Sequence, residues 1–443
     1  MPSPFSRKKE ALAAQLRAGA GPVGLAKETS NLFRDREPAA RRRLDVRHFD
    51  EVLAIEDGWV DTEGMIPYEA LTAACLAQGV MPAVVPQLKT ITLGGAVAGV
   101  GIESSSHRYG LVHDTMLELE VLLGDGRTVV CTPDNEHSDL FFGFPNSYGT
   151  LGYALRVKAR TIPVKPYVHL EHVRFANAAE YFQALGKRLE SGEADFVDGT
   201  VFNPGEMYLT LGRFADRAPY TSDYSFEHIY YRSIREKRED YLTIADYIWR
   251  WDTDWFWCSK NVLAQKPFIR RFVYGRKRLG SRTYTKIMRW NSRVGATKKI
   301  ERLLGLHSES VIQDVDIPLG RAAEFFDFYS REIGLYPQWI CPIGPQPHSG
   351  KFSLYPVRDE WYVNFGFWDV KRTREAYPPG HFNRLIERKV AELGGIKSLY
   401  SDSFFERDEF ERSYGGEAYR RLKSRYDPQG AFPLLYEKCV LRR

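Results

Sequence analysis

The residues with the most evident chemical use lie between Pro86 and Gly110, in the run PQLKTITLGGAVAGVGIESSSHRYG. Gly94, Gly95, Gly99, Gly101 and Gly110 allow the backbone to approach a ligand closely and to adopt positive φ. Thr90, Thr92, Ser104, Ser105 and Ser106 stand among them, and with free backbone N–H groups they suit a pyrophosphate without needing a lysine. The spacing is neither GxGxxG between a strand and a helix nor GxxxxGK followed by Ser or Thr, so neither a Rossmann nor a P-loop site is implied. Glycine richness alone also suits a purely structural turn. An earlier loop, Lys27–Arg34, offers Ser30 and Asn31 as a second phosphate contact, and Gly149-Thr150-Leu151-Gly152 adds a third flexible turn. His107 and His113 are expected to make polar contacts within their loops.

The elements that must hold these loops can be sketched from periodicity. Residues 1–20 form an amphipathic arm. Strands follow around Asp57-Gly58, a hairpin-type signal. Apolar spacing near 3.6 predicts a helix over Pro67–Gln78. Two strands in MLELEVLLGDGRTVVCTP turn at Gly124-Asp125-Gly126, and GTLGYALRVKARTIPV supplies another, closing an α+β unit over 1–165. From 166 to 425, strand-like segments (VHLEHVRF, MYLTLGRF, SVIQDVDIP, LYPQWICPIG, EWYVNFGFW) alternate with helical ones (AAEYFQALGKRLE, AAEFFDFYSREIG, HFNRLIERKVAELGG, EAYRRLKSRY). That pattern predicts a second α+β domain, an antiparallel sheet with helices on one face. A basic aromatic insertion occupies 228–305, and 426–443 returns to the first unit.

Composition narrows the class. The 443 residues are 43% hydrophobic and 27% charged, an ordinary globular balance long enough for more than one core. The net charge of +5 is unevenly spread: Trp255 to Ile300 has no Asp or Glu but thirteen Lys and Arg. Such a block faces something anionic or stays solvated. Five scattered cysteines have no metal-ligand spacing and suggest neither disulfides nor zinc, which fits a reducing cytosol. The N-terminal stretch lacks an apolar run behind its basic residues, and no segment reaches the roughly 18 apolar residues of a spanning helix. A soluble or peripheral protein is expected.

The order of loop, helix, glycine run, strand pair and Gly149–Gly152 resembles the flavin domain of the vanillyl-alcohol oxidase/p-cresol methylhydroxylase superfamily, and Tyr426-Asp-Pro-Gln-Gly-Ala-Phe432 is similar to its closing turn. Within that superfamily the chain resembles the Δ24-sterol reductases (the seladin/Diminuto family). The likeness runs through Gly101-Ile-Glu-Ser-Ser-Ser-His-Arg-Tyr-Gly-Leu111, Cys131–Pro133, Ser138–Phe141 and Gly149–Gly152. It continues through Tyr336–Pro342, Leu399-Tyr-Ser-Asp402, Ala431–Pro433 and Tyr436–Cys439. The resemblance implies a two-lobed FAD-binding domain with an antiparallel-sheet cap. It implies FAD held by Ser30, Asn31, Pro86, Thr90, Thr92, the loop glycines, Ile102–Ser105, His107, Gly149, Thr150 and Gly152. Lys438, near the closing turn, could place positive charge by flavin N1 or be an ordinary surface lysine. Many superfamily oxidases carry a flavin-linking histidine in the glycine loop. Glu103 matches that position here, so FAD is expected to be non-covalent. No counterpart of the membrane-anchoring helix of eukaryotic sterol reductases is read here. The opening loop looks more like soluble bacterial relatives, some of which reduce methylene-branched fatty acyl chains.

Both substrates implied by the resemblance, a sterol Δ24 bond and a methylene fatty acyl chain, are isolated alkenes without a carbonyl to draw electrons. Protonating the less substituted carbon first gives a tertiary cation that then accepts hydride. The site therefore needs a proton donor, a dry apolar channel and aromatic faces. Candidate acids are Tyr336, Asp402 and Glu406, taken from family-like segments, with a surface or structural role as the other reading of each. Tyr336, Trp339, Tyr362, Phe365, Phe367 and Trp368 could floor the pocket or simply pack in a core. NADPH as reductant is implied by the family alone. Four tryptophans between Trp249 and Trp257, followed by the basic block, suit peripheral contact of 247–300 with an anionic inner membrane face, or a buried cluster beneath a solvated one. No nucleic-acid fold signature is visible. Two other readings stay open: a flavin oxidase or dehydrogenase of an alcohol, sugar or phenol, and a non-catalytic lipid- or flavin-binding protein.

Overall fold

A computed structural model describes residues 3–19, 21–27, 33–34, 41–294 and 305–443. The chain builds an α+β protein of two domains around two antiparallel sheets. In the first, Val52–Glu56, Trp59–Glu63, Tyr153–Pro163, Met116–Leu122 and Thr128–Cys131 lie side by side in that order, with Val80–Pro82 also pairing on Tyr153–Pro163. A small second lobe sits beside it. There the parallel pair Val23–Ala26 and Arg42–Asp45 is covered by the helix Pro4–Arg17, which buries Leu12, Ala13 and Leu16.

The second sheet is the larger. Its order is Glu239–Thr243, Tyr167–Phe175, Glu206–Ala215, Phe196–Asn203, Gln338–Ile343, Tyr362–Thr373, His307–Pro318 and Ile396–Lys397, antiparallel throughout. Because side chains alternate between faces, Val363, Phe365, Phe367, Val311, Val315, Ile317 and Ile340 point to one side. There they meet the helices Ala178–Ser191, Ala322–Glu332 and His381–Glu392. Ala178–Ser191 shows why these helices form: Asn177 caps it by accepting from Glu180 N at 2.9 Å, Gly192 ends it in the left-handed region, and Tyr181, Phe182, Leu185 and Leu189 make one apolar stripe. The opposite face packs on the first domain. It carries Asp198, Trp339, Cys341, Asn364, Asp316 and, at its rim, Asp314 and Trp368.

Several strands escape the sequence reading, among them the pair Val23–Ala26 and Arg42–Asp45, the short Val80–Pro82 and Ile396–Lys397, and two more in the large sheet. Phe196–Asn203 carries Asp198, Gly199 and Thr200 in its middle, which break the apolar pattern although the strand is central. Glu239–Thr243, inside the 228–305 segment, is a short edge strand, so that segment is partly sheet rather than wholly an appendage. The chain also returns to the first domain earlier than 426. The helix Gly416–Tyr426 lies on Ser138–Gly143, with Leu422 against Gly143, and Lys423 donates to Thr150 O at 2.8 Å. No helix among the described residues is long and apolar enough to cross a membrane.

One buried cation ties the parts together. Arg250, from the inserted segment, donates to Glu103 Oε1 (2.7 Å) and to Asp198 Oδ2 (2.8 Å), which also accepts from Trp339 Nε1 (3.1 Å). Its guanidinium also lies 4.1 Å from the Tyr247 ring centroid. Removing the cation leaves two buried carboxylates uncompensated. We therefore expect Arg250→Met to cost about 3–5 kcal/mol in urea denaturation, and Arg250→Met with Glu103→Gln and Asp198→Asn to recover part of it. An unchanged midpoint for the single variant would contradict this account.

Candidate active site

The glycine run starts as a short helix, Leu93–Ala98, capped by Thr92, whose Oγ1 accepts from Gly95 N at 3.2 Å. A Cβ on Gly94 would come within 2.6 Å of Gly64 O, so this glycine lets the helix pack on the chain leaving the first sheet. Gly94, Gly95, Gly99 and Gly101 all border an open cleft. A second loop meets them there: Asn146 N donates to Gly99 O (3.0 Å) and Tyr148 N to Ala98 O (2.7 Å). Asn146, Tyr148, Gly149 and Gly152 all have positive φ (61°, 50°, 74° and 145°). Such backbone is costly for Asn and Tyr and collects at ligand sites.

The cleft encloses about 670 Å³, within the range of ligand pockets. The two loops form one wall. The facing wall is aromatic: Phe33, Trp255, Phe256, Tyr284, Trp368 and Tyr400. Phe256 lies over Trp368 with centroids 4.3 Å apart, and Phe33 is 5.3 Å from Trp255. Several buried polar atoms on this lining have no partner, namely Arg34 Nε and Nη2, Gln87 Nε2, Tyr148 OH and Asp314 Oδ1. Orphaned donors and acceptors gathered round one cleft mark a site for a polar ligand group. Two cations stand at the same place: Arg34 covers the Tyr148 ring at 4.9 Å, and Lys438 Nζ donates to Tyr148 O. Asp314 is the one carboxylate side chain lining the cleft among the described residues. Burial, reinforced by the neighbouring Asp316 charge and opposed by Tyr400, pushes its carboxyl up to about 8.

A family model described as FAD binding domain matches residues 28–132. The Delta(24)-sterol reductase of Mus musculus is 31% identical over 395 residues, covering 86% of this chain and 73% of that protein. The chain belongs to the Δ24-sterol reductase family. Proteins of the same name from Homo sapiens (29% over 390 residues; 86% and 73% covered) and Arabidopsis thaliana (28% over 449; 91% and 77%) are similar over the same breadth. Membership makes the chain an FAD-dependent oxidoreductase acting on a carbon–carbon double bond.

Within this family frame, the residues expected to hold the cofactor fall into two groups. Pro86, Thr90, Thr92, Gly94, Gly95, Gly99, Gly101, Ile102, Gly149, Gly152 and Lys438 line the cleft. Glu103, Ser104, Ser105, His107, Gly110 and Thr150 do not. Glu103 is drawn to Arg250, and Ser104 Oγ pairs with Tyr247 Oη at 2.8 Å. Ser105 Oγ donates to Ala83 O (2.7 Å), and Thr150 Oγ1 to Ser147 O (2.8 Å). The His107 ring lies between Ser104 O and Ala194 O, and burial holds its pKa down. Gly110, at φ 68°, packs against Asp114. Val197 N donates to Ser104 O and Gly344 N to Ser106 O, so the Glu103–Gly110 half of the run is the joint between the domains. Ser30 and Asn31 lie outside the described residues; Phe33 and Arg34, at the end of their loop, reach the cleft.

The three candidate acids lie off the cleft lining. Tyr336 packs on the helix side of the large sheet and pairs with Ser330 Oγ at 2.8 Å. Glu406 is exposed, caps the helix Arg407–Ser413 and pairs with Arg384. Asp402 faces Arg442 at 3.3 Å, one residue removed from the lining. Of the six floor aromatics, only Trp368 lines the cleft; Phe365 and Phe367 fall on the helix face by alternation. The sequence reading passed over Asp314, Tyr400, Arg34 and Tyr148. Two aspartates at alternate positions of SVIQDVDIP, a strand otherwise fit for burial, were the available signal.

The two glycines separate packing from ligand contact. We expect Gly95→Val, whose Cβ would press on the capping Thr92 hydroxyl at 2.7 Å, to fold with a stability loss of about 1 kcal/mol yet purify with little or no yellow flavin absorbance, and Gly94→Val, set against the Gly64 backbone, to lose folded yield outright. Full flavin content in Gly95→Val would remove the glycine loop from the cofactor site.

Proposed function

We propose that the protein reduces an isolated carbon–carbon double bond of a lipid, of the sterol side-chain Δ24 type or in a methylene-branched fatty acyl chain, using non-covalent FAD recharged by NADPH. The observation that carries this reading is the cleft itself: glycine loops, unpartnered polar atoms and clustered aromatic rings share one lining, with a half-buried carboxyl at the rim. The sterol reductases that the chain resembles along most of its length point to the same substrate class.

The residues present fit a flavin nucleotide. Gly95, Gly99, Gly101, Gly149 and Gly152 give close backbone approach, and Arg34 and Lys438 supply positive charge. Glu103 is engaged by Arg250, and no histidine is among the described lining residues, which supports non-covalent attachment. When bound and reduced, the flavin supplies the hydride. The chain's own task is to bring an unpolarised alkene into a water-poor pocket, present a proton, and set aromatic faces around the developing cation. Trp255, Phe256, Trp368 and Tyr400 are placed for that last role.

Delivery of a lipid is part of this reading. The tryptophans expected at a membrane interface are largely interior: Trp251, Trp255 and Trp257 are buried, and Trp255 faces the cleft. A different set is exposed. Six of the twelve exposed large apolar side chains among the described residues are Leu263, Phe268, Phe272, Val273, Met288 and Trp290. Phe268 and Phe272 are each 70% exposed, with rings 4.9 Å apart. Met288 also lines the cleft beside Val262 and Tyr284, so the patch borders the mouth. Set in the acid-free basic segment, it suits peripheral docking of a cytoplasmic enzyme on an anionic bilayer.

Anaerobic NADPH should bleach the flavin, and the reduced enzyme should add two hydrogens to a sterol with a side-chain Δ24 bond or to a methylene-branched acyl lipid, seen by mass spectrometry. Bleaching by alcohols or phenols but not by NADPH would favour the oxidase reading, and stable flavin with no donor at all a binding protein. In vesicle flotation at low salt, Phe268→Ser with Phe272→Ser should weaken binding to anionic bilayers by roughly tenfold or more, on the scale of about 0.8 kcal/mol per buried CH₂. No binding by the unmodified protein would end the docking proposal.

A further inference from the structure

On the face of the large sheet turned to the first domain, Asp314 and Asp316 sit two residues apart on one strand, yet their surroundings differ. Asp316 is fully engaged: it accepts from Tyr355 Oη at 2.6 Å and from Asn364 Nδ2 at 2.7 Å. Asp314 reaches the cleft lining, and its Oδ1 is shut from solvent with no hydrogen-bond partner. Its cross-strand neighbour is Gly366, where a Cβ would come within 2.7 Å of Oδ1 and 2.5 Å of the Trp368 ring. The missing side chain makes room for carboxyl and indole together. The Tyr400 hydroxyl accepts from Trp368 Nε1 at 2.8 Å, which leaves its own proton to direct at the carboxyl of Asp314.

We propose that Asp314 is the residue that protonates the substrate alkene, with Tyr400 as the positioning residue that holds its carboxyl toward the cleft. The inference rests on the reductase reading above and adds the missing donor to it. An alkene is a poor hydrogen-bond acceptor, so its proton donor must carry a proton that no stronger acceptor engages; Oδ1 is enclosed beside Gly366 without a partner, and no acceptor among the described residues engages the Asp314 carboxyl where it lines the cleft. Burial and the Asp316 charge keep the carboxyl neutral at pH 7, which a donor requires. The other groups facing it are Tyr400 and, across the cleft, Tyr148 under the Arg34 guanidinium. In the step, the carboxyl O–H bond breaks and the proton passes to the less substituted alkene carbon, bonded there by the π electron pair. The other carbon becomes a tertiary cation and accepts the hydride of the reduced flavin. The alkene is thereby reduced by two electrons, the flavin is oxidised by two, and the Asp314 carboxylate regains a proton from water after product leaves.

Three measurements test this. Infrared spectra of the flavin-loaded protein should show a protonated-carboxyl carbonyl band at pH 7 that is missing from Asp314→Asn and fades in the unmodified protein as pH rises through about 8. Asp314→Asn should keep its flavin and its bleaching by NADPH, but alkene reduction in a single turnover should fall about 100-fold or more. The single-turnover rate of the unmodified enzyme should hold below pH 8 and drop above it, because the acid form is the active one. Tyr400 favours the ionised carboxyl, so Tyr400→Phe should move that descending limb to higher pH; a merely structural tyrosine would leave it in place. Equal single-turnover rates in Asp314→Asn and the unmodified enzyme, no infrared difference between them, or an unmoved limb in Tyr400→Phe would each overturn the assignment. An unmodified enzyme that reduces no alkene would overturn the functional reading itself, an outcome distinct from these.

Discussion

The geometry of this protein depends on one buried guanidinium. Arg250 is fully enclosed, and it bonds Glu103 and Ser104 from the glycine run and Asp198 from the large sheet, both distant in sequence, as well as the Tyr247 carbonyl of its own segment. A lone buried charge would be very costly, and one cation shared by two carboxylates is tolerable only with close to ideal contacts. That demand fixes the glycine run against the sheet. With the joint held at Glu103–Gly110, the preceding residues Pro86–Ile102 face the sheet's rim across a gap, and the gap is the cleft.

The broad plan was legible because it rests on patterns that burial enforces. Period-two alternation located most strands of both sheets, and 3.6 spacing found the helix Tyr68–Leu76 and the three that cover the large sheet. The glycine run was legible as a ligand loop since Gly95, Gly99 and Gly101 have no comparable use in a strand or long helix. What pattern could not divide was the run itself. Gly94 and Gly101 have the same residue type as Gly95, yet Gly94 is needed by the Gly64 carbonyl and Gly101 by Val112 and Pro86. Likewise the family-like stretch after Gly101 is polar enough for a cofactor contact, but its Ser and His side chains are spent on joining domains.

The acid was hidden for a related reason. Family-like segments drew attention to Tyr336, Asp402 and Glu406, and in Leu399–Asp402 the charged residue looked more chemical than the tyrosine beside it. Chemistry depends on which face a side chain takes, and a two-residue period decides that only once the sheet's two neighbours are known. Asp314 and Asp316 occupy the face set against the first domain, where a carboxyl loses water without gaining a cation. The tryptophan cluster misled in the opposite sense: its composition suits a membrane surface, but Trp251 and Trp257 fill the interior, and the exposed apolar residues lie further along.

One inserted segment therefore joins two tasks that lipid chemistry keeps together. Its first part places Trp255 and Phe256 on the cleft wall, both at positive φ (45° and 59°), a conformation bulky residues hold only when packing over-determines it. Its later part carries Phe268, Phe272 and Trp290 outward. The charges divide in the same way. Arg270 turns inward and is matched by buried Asp254 at 2.7 Å, whereas Arg271, Arg276 and Arg282 stay at the surface and pair there with Glu227, Asp223 and Glu69. Internal cations are neutralised by carboxylates placed before Trp255 or on other segments, so none is needed between Trp255 and Ile300. That distribution keeps acids out of the stretch from Trp255 to Ile300 without leaving a buried charge unpaired among its described residues, and it sets the proposed docking face and the reacting pocket on one continuous piece of structure.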